Sequence, residues 1–250
     1  MEDTLILIPA RGGSTRIKDK NIKLFGGKPL IAHIIETSLK SKCGRVVVTT
    51  DSLKIKDIAL KYGAEVPFIR PEEFATTFSS SLTPILHALK WFRENEKWEP
   101  KYIINTLATK PFTSVKSIQE NKQKLLEASE NINSCTTVCL PKTHPFSTII
   151  IDDKTNEIED GRVFVNGKNN ANVVRSQDYP KVYEMVCNST TTKTRFFYNL
   201  LDEVNNDISK ITYKRILDDK NCIASIVPQI ESIDIDEPED FEFALKIIGN

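Results

Sequence analysis

Residues 4–9, TLILIP, form an unbroken apolar run that stops at Pro9 and opens into a glycine-rich, basic loop, PARGGSTRIKDKN at 9–21. A short apolar run without alternation fits a strand buried on both faces, the central strand of a parallel sheet. In the loop, Gly12 and Gly13 let the backbone curl so that its N–H groups converge. Ser14 and Thr15 add hydroxyl donors, Asn21 adds an amide, and Arg11, Arg16, Lys18 and Lys20 bring positive charge. Converging donors and cations beyond the carboxyl end of a strand suit a polyphosphate. The text is neither GxGxxG nor GxxxxGK[ST], which weakens a hydride-transfer or P-loop reading. A solvated basic turn is the bland alternative.

The chain then alternates. PLIAHIIETSLK from Pro29 places Leu30, Ile31, Ile34, Ile35 and Leu39 on one helical stripe, with Pro29 in the first turn where no hydrogen bond is lost. RVVVTT at 45–50 reads as a second buried strand, and Asp51 with Ser52 caps a helix that Gly63 ends. A short EVPFI strand, a helix over about 81–94, the strand YIINTL at 102–107 and a helix over about 114–128 follow. Strands interleaved with helices imply one α/β domain over 1–250, with a largely parallel sheet covered on both faces. Between about 134 and 187 the text turns β-rich and polar, with Gly161, Gly167 and NGKNNAN, and reads as a projecting hairpin region. After a helix near 193–205, the sheet resumes at CIASIV, and ESIDID leads into a final helix with Pro238 near its start.

Lys plus Arg and Asp plus Glu are both 34, so no net field draws the chain to nucleic acid or to a membrane, and phosphate binding must be local. Five cysteines with no CxxC pair point to reduced thiols rather than a zinc site or a disulfide framework. With no leader-like start and no apolar stretch of membrane length, a cytoplasmic location is expected. His33, His87 and His144 stand in no triad context.

IPARGGSTRIKDKN followed by GGKPLI resembles the opening motif of the acylneuraminate cytidylyltransferases, the CMP-sialic acid synthetase family with its pseudaminate and legionaminate relatives. Ordered similarities continue at VVVTTD (46–51), EVPFIRPEE, LATKPF (107–112), RSQDYPKVYE (175–184) and SIDIDEPED (232–240). The resemblance implies a Rossmann-like, three-layer nucleotidyltransferase fold, Mg2+ dependence, and a homodimer in which the hairpin region of one subunit reaches toward its partner's site. The implied reaction transfers CMP from CTP to a nine-carbon 2-keto sugar acid and releases pyrophosphate. A CMP-Kdo-type enzyme, suggested by the text Ser14-Thr15-Arg16 with Lys20, and a nucleotide-binding scaffold without turnover are the alternatives.

On this resemblance, Ala10, Arg11, Gly12, Gly13, Ser14 and Asn21 hold the nucleotide, with Arg11, Arg16 and Lys20 neutralising its phosphates. Arg70, Ser80 and Ser81 read the cytosine; an exposed ion pair of Arg70 with Glu72 or Glu73 is its other reading. Asp234 and Asp236 flank Ile235, and strand alternation puts both carboxylates on one face, hard oxygen ligands suited to Mg2+. Asp236 capping the last helix is the alternative reading. Thr109, Arg175, Gln177 and Glu184 fall in the segments that match the family's sugar site, and the Arg175 guanidinium suits a carboxylate. The chain departs from the family's usual text at Thr15-Arg16, at Leu107, which stands where sialic acid synthetases have Gln, and at MVCNSTTTKTRFF, where Val186-Cys187 reads as an insertion. Leu107 and RSQD tilt the substrate from sialic acid toward a modified relative.

Overall fold

A computed structural model describes residues 3–76, 80–155, 157–159, 164–165, 168–169, 173, 175–211, 216–218 and 220–249. It divides into two compact units, residues 1–138 with 186–250, and residues 139–185.

In the first unit, β1 (Thr4–Pro9) is followed by a pair of two-residue strands, β2 (Leu24–Phe25) and β3 (Lys28–Pro29). Then come α1 (Leu30–Ser41), β4 (Arg45–Thr49), α2 (Leu53–Lys61), α3 (Thr83–Trp91), β5 (Tyr102–Thr106), α4 (Val115–Glu127) and β6 (Ser134–Cys139). The second unit carries two small antiparallel pairs, β7 (Ile150–Ile151) with β8 (Ile158–Glu159) and β9 (Phe164–Val165) with β10 (Lys168–Asn169). The chain returns through β11 (Glu184–Lys193), α5 (Arg195–Glu203), β12 (Cys222–Ile226) and α6 (Pro238–Ile248).

The six-stranded sheet runs β12-β6-β11-β5-β1-β4. β1 lies parallel to β4 on one side and β5 on the other, and all of Leu5, Ile6, Leu7 and Ile8 are fully buried. Alternation sorts them into two layers. Ile6 and Ile8 pack with Ile31 and Ile35 of α1, Ile55 of α2 and Ile118 of α4. Leu5 and Leu7 pack with Ile85 and Leu89 of α3 and Phe197 and Leu201 of α5. The result is a three-layer α/β sandwich, as expected from strands that are apolar on both faces. Strand order reverses at β1, because β4 follows it on one side and β5 on the other; ligands in such sheets bind where carboxyl ends splay apart at that reversal.

The sheet is mainly parallel, as expected, with β11 running antiparallel to β5. Other expectations are corrected. EVPFI forms no strand: it makes one bridge, Glu65 to Val47, and Pro67 then has no N–H to continue it. The SIDID segment is an extended connection outside the sheet, anchored by the Ile235 N–H donating to the Thr109 carbonyl at 2.9 Å. The β-rich segment expected over about 134–187 contains the second unit, residues 139–185, while β6 through Val138 and the residues from Val186 onward fall in the first. Val186-Cys187 sits inside β11, where Cys187 has φ 53°, a left-handed conformation typical of a bulge residue. Gly161, Gly167 and most of NGKNNAN lie outside the described residues.

Candidate active site

The loop after β1 is held at both ends. Ala10 continues the strand, its N–H donating to Thr49 at 3.0 Å, and the buried Asn21 side chain donates to the Arg11 carbonyl at 3.0 Å. Between them the Gly12 N–H donates to the Asp51 carboxylate at 2.9 Å. A Cβ on Gly12 would stand 2.9 Å from the Ser52 Cβ, so only glycine allows this approach; a Cβ on Gly13 would meet nothing within 4 Å. Ser52, not Asp51, caps α2, accepting from the Ile55 N–H, which frees Asp51 to hold the loop.

Two cavities meet at this loop, sharing Pro9 and Arg11. The first, about 210 Å³, is walled by Ser14, Thr15, Arg16 and Lys20 on the loop side and by Leu107 and Thr109 beyond β5, with Asp236 on its floor. The second, about 340 Å³, is lined by Arg70, Phe74, Ser80, Ser81 and Pro84. Arg70 is 3% exposed and pairs with Asp51 at 3.8 Å, while its buried Nε has no hydrogen-bond partner. Burial pulls its guanidinium below the ordinary arginine value against the opposing pull of Asp51. The exposed ion pair considered for Arg70 is thereby excluded. Ser80 accepts from the Leu82 N–H, which fixes the turn that leads into α3.

The acidic segment reaches the first cavity through hydrophobic anchors. Ile17 from the loop and the fully buried Ile235 insert into one cluster with Phe25, Leu30 and Phe241. Burial of one such side chain contributes about 1.5–3 kcal/mol, enough to hold residues 16–20 beside 234–237. Lys20, itself 9% exposed, donates to the Ile235 carbonyl at 2.9 Å and to Asp236 at 2.8 Å. Arg16 lies 2.7 Å from Glu237 and 3.5 Å from Asp236. Burial opposes ionisation of Asp236, but the hydrogen bond from Lys20 and the charges of Lys20, Arg16 and Lys110 outweigh it and hold the carboxyl below the usual range. The hydrogen bond from Arg16 to Glu237 raises the arginine. Asp236 does not cap α6: Glu237 is the cap residue, and the Asp240 carboxylate accepts from the N–H groups of Asp236 and Glu237 at 3.0 and 2.8 Å. Both aspartates are therefore free of capping duty. One oxygen of Asp234 is buried without a hydrogen-bond partner.

Arg11, Ser14, Arg16, Lys20 and Asn21 thus line the first cavity with Thr109 and Asp236, and Arg70, Ser80 and Ser81 line the adjoining one. Ala10, Gly12 and Gly13 belong to the same loop without lining either cavity, and Asp234 stands two residues before Asp236, paired with Lys110. Arg175, Gln177 and Glu184 belong to the second unit and are exposed; Arg175 forms a two-point pair with Asp178 at 2.7 and 3.2 Å. In that unit His144 accepts from the Phe146 N–H at 3.1 Å and packs against Phe146 and Tyr179, a structural role. The sequence reading missed Lys110 and Glu231. Lys110 is 6% exposed with its ammonium 3.3 Å from Asp234. The Glu231 carboxylate, 3% exposed, accepts from the Ser117 hydroxyl and the Asn188 amide, both at 2.7 Å, and from the Ser114 N–H at 3.3 Å. No residue pattern flags either, since a lone lysine or glutamate in the sequence reads as a surface charge.

A family profile described as cytidylyltransferase matches residues 5–211. The CMP-N,N'-diacetyllegionaminic acid synthase of Legionella pneumophila is 29% identical over 251 residues, covering 98% of this chain and 95% of that protein. The pseudaminic acid cytidylyltransferase of Campylobacter jejuni is 35% identical over 125 residues, 49% of this chain and 53% of that protein. Among solved structures, CMP:2-keto-3-deoxy-manno-octonic acid synthetase complexed with CTP has a TM-score of 0.67 at 15% identity and covers 98% of both chains, a likeness of fold.

Proposed function

Given that the chain belongs to the cytidylyltransferase family, we propose that it transfers CMP from CTP to a nonulosonic acid of the legionaminic or pseudaminic type, giving the CMP-sugar and pyrophosphate. The observation that carries this reading is the meeting of two cavities at Arg11, one basic with an acidic floor and one with a buried, unpartnered Arg70 Nε. Their chemistry suits a triphosphate and a pyrimidine respectively. Cytosine offers carbonyl and ring-nitrogen acceptors to a guanidinium and an exocyclic amine to Ser80 and Ser81.

The anomeric hydroxyl oxygen of the sugar attacks the α-phosphorus, the bond to the bridging oxygen breaks, and pyrophosphate leaves in line as the hydroxyl loses its proton. Positioning and charge neutralisation supply most of such catalysis. The loop amides and Ser14 orient the phosphates, and Arg11 and Arg16 offset the charge of the leaving group. Lys20 holds Asp236 in place. Asp234 and Asp236 fit Mg2+: both are carboxylates not used in capping, and one buried oxygen of Asp234 has no partner. Held there, the ion would supply positive charge against the phosphates.

Leu107 lines the phosphate cavity and offers no hydrogen bond where an amide would. That supports a sugar other than sialic acid, as do the two relatives named above. Arg175, Gln177 and Glu184 are proposed to meet the sugar acid, Arg175 exchanging Asp178 for its carboxylate. We further propose a homodimer working in the cytoplasm, where CTP is made. Pyrophosphate release with CTP, Mg2+ and each of legionaminic, pseudaminic, sialic and Kdo acids tests the reaction. Turnover is expected with one of the first two. Preference for Kdo would reassign the substrate, and CTP binding without release from any of the four would leave a nucleotide-binding scaffold.

A further inference from the structure

Lys110 stands in the turn after β5, on a different element from the aspartates it faces. The turn is stiff: the Lys110 N–H donates to Leu107 at 3.2 Å, and its carbonyl accepts from the Thr113 N–H at 3.2 Å and hydroxyl at 2.8 Å. The side chain is 6% exposed, and its ammonium lies 3.2 Å from the Ser232 carbonyl and 3.3 Å from Asp234 Oδ2. Such a lysine is costly to bury and needs an anion.

Its effect is seen by counting charge around the floor. Asp234, Asp236 and Glu237 are each paired with a cation, Lys110, Lys20 and Arg16 respectively, before any ligand arrives. A divalent ion approaching Asp234 meets an ammonium already seated at one carboxylate oxygen. Mg2+ sheds its water reluctantly and is commonly held by one or two carboxylates together with substrate phosphates. Carboxylates already paired with cations give it little reason to dehydrate, and a triphosphate supplies further negative charge.

We infer that Lys110 is a positioning residue that neutralises Asp234 in the free protein, so that the metal is held only after the nucleotide's phosphates have arrived. Metal then enters with or after CTP, and the empty protein does not accumulate it. This rests on the cytidylyltransfer reading of the same site.

The test measures Mn2+ binding to the full-length protein by the loss of its free-ion paramagnetic resonance signal, without sugar, with and without CTP. Wild type is expected to bind weakly alone and more tightly with CTP. Lys110→Met, and Lys110→Gln as a second neutral variant, are expected to bind Mn2+ about tenfold more tightly in the absence of CTP, because one opposing charge a few ångströms away is removed. Lys110→Arg should stay near wild type, and adding Asp234→Asn to Lys110→Met should abolish the gain. Wild type that binds Mn2+ as tightly without CTP as with it overturns the inference. So does equal affinity in wild type and a folded neutral variant, or a gain that survives Asp234→Asn. The arms without CTP read the lysine alone. A failed sugar panel would overturn the reaction and leave those values standing.

Discussion

Adding one methyl group to the phosphate loop separates packing from ligand approach. At Gly12 a Cβ would stand 2.9 Å from the Ser52 Cβ, at the residue that caps α2, so Gly12→Ala must displace the loop. It is expected to cost about 1–3 kcal/mol, as overpacking does, and to raise the KM for CTP, with stability read by urea unfolding. Gly13→Ala meets nothing in the folded chain. Its stability should be unchanged while CTP binding weakens, if that face is where phosphates approach the backbone. Asp234→Asn is expected to lower Mg2+-dependent turnover by about a hundredfold, the loss of about 2.7 kcal/mol of metal-assisted stabilisation; full Mg2+-dependent turnover would reject the metal assignment. At this scale the basic loop was legible because its residues are contiguous and their chemistry is shared. Lys110 was not, because its meaning comes from an aspartate more than a hundred positions away.

Helices and strands were legible wherever apolar residues keep time with the backbone. β1, β4, β5 and α1 lie where the pattern put them because each has a buried face with no competing reading. β11 escaped notice for the opposite reason. Its NSTTTK text is polar, yet Ser189, Thr190, Thr191 and Thr192 are buried; Thr190 pairs across to Thr136 of β6 at 2.9 Å, Thr192 to Ser134 at 3.2 Å, and Thr191 donates to Asn121 of α4 at 2.6 Å. β-branched threonines favour a strand, and these hydrogen bonds offset the cost of burying their hydroxyls. The Asp234–Asp236 spacing was read as strand alternation, whereas an extended tether and not a strand presents them. Glu231 links α4, β11 and that tether. Glu231→Gln replaces an acceptor with a donor facing donors, and is expected to lower the urea midpoint by about 1–3 kcal/mol equivalent with the slope unchanged. α3 carries a pH-sensitive element: burial, with help from Arg70, pushes His87 down from 6.5 to about 4, between the rings of Phe68 and Phe74. The unfolded chain takes up that proton more readily, so the stability the neutral ring contributes above 6.5 should be lost as pH falls toward about 4. Thermal unfolding across that window should show the slope, and His87→Asn should flatten it.

Across the whole molecule, the family match covers residues 5–211, and the three-layer sheet with its reversal at β1 accounts for where the site lies. The proposed homodimer predicts a sedimentation mass twice the 28.3 kDa of the chain at micromolar concentration. The second unit enters from the end of β6 and returns at β11. Hydroxyl pairs Thr136–Thr190 and Ser134–Thr192 show each step up one strand matched by a step down the other, which carries the register to Val138 opposite Asn188. The insertion therefore hangs from two points that a short reverse turn would span, with the left-handed Cys187 beside one of them. Loop-closure entropy rises only slowly with length. Residues 139–185 are in effect a cassette: segments of other lengths can be exchanged there without shifting the sheet's register, so relatives can diversify one module while the nucleotide machinery stays fixed.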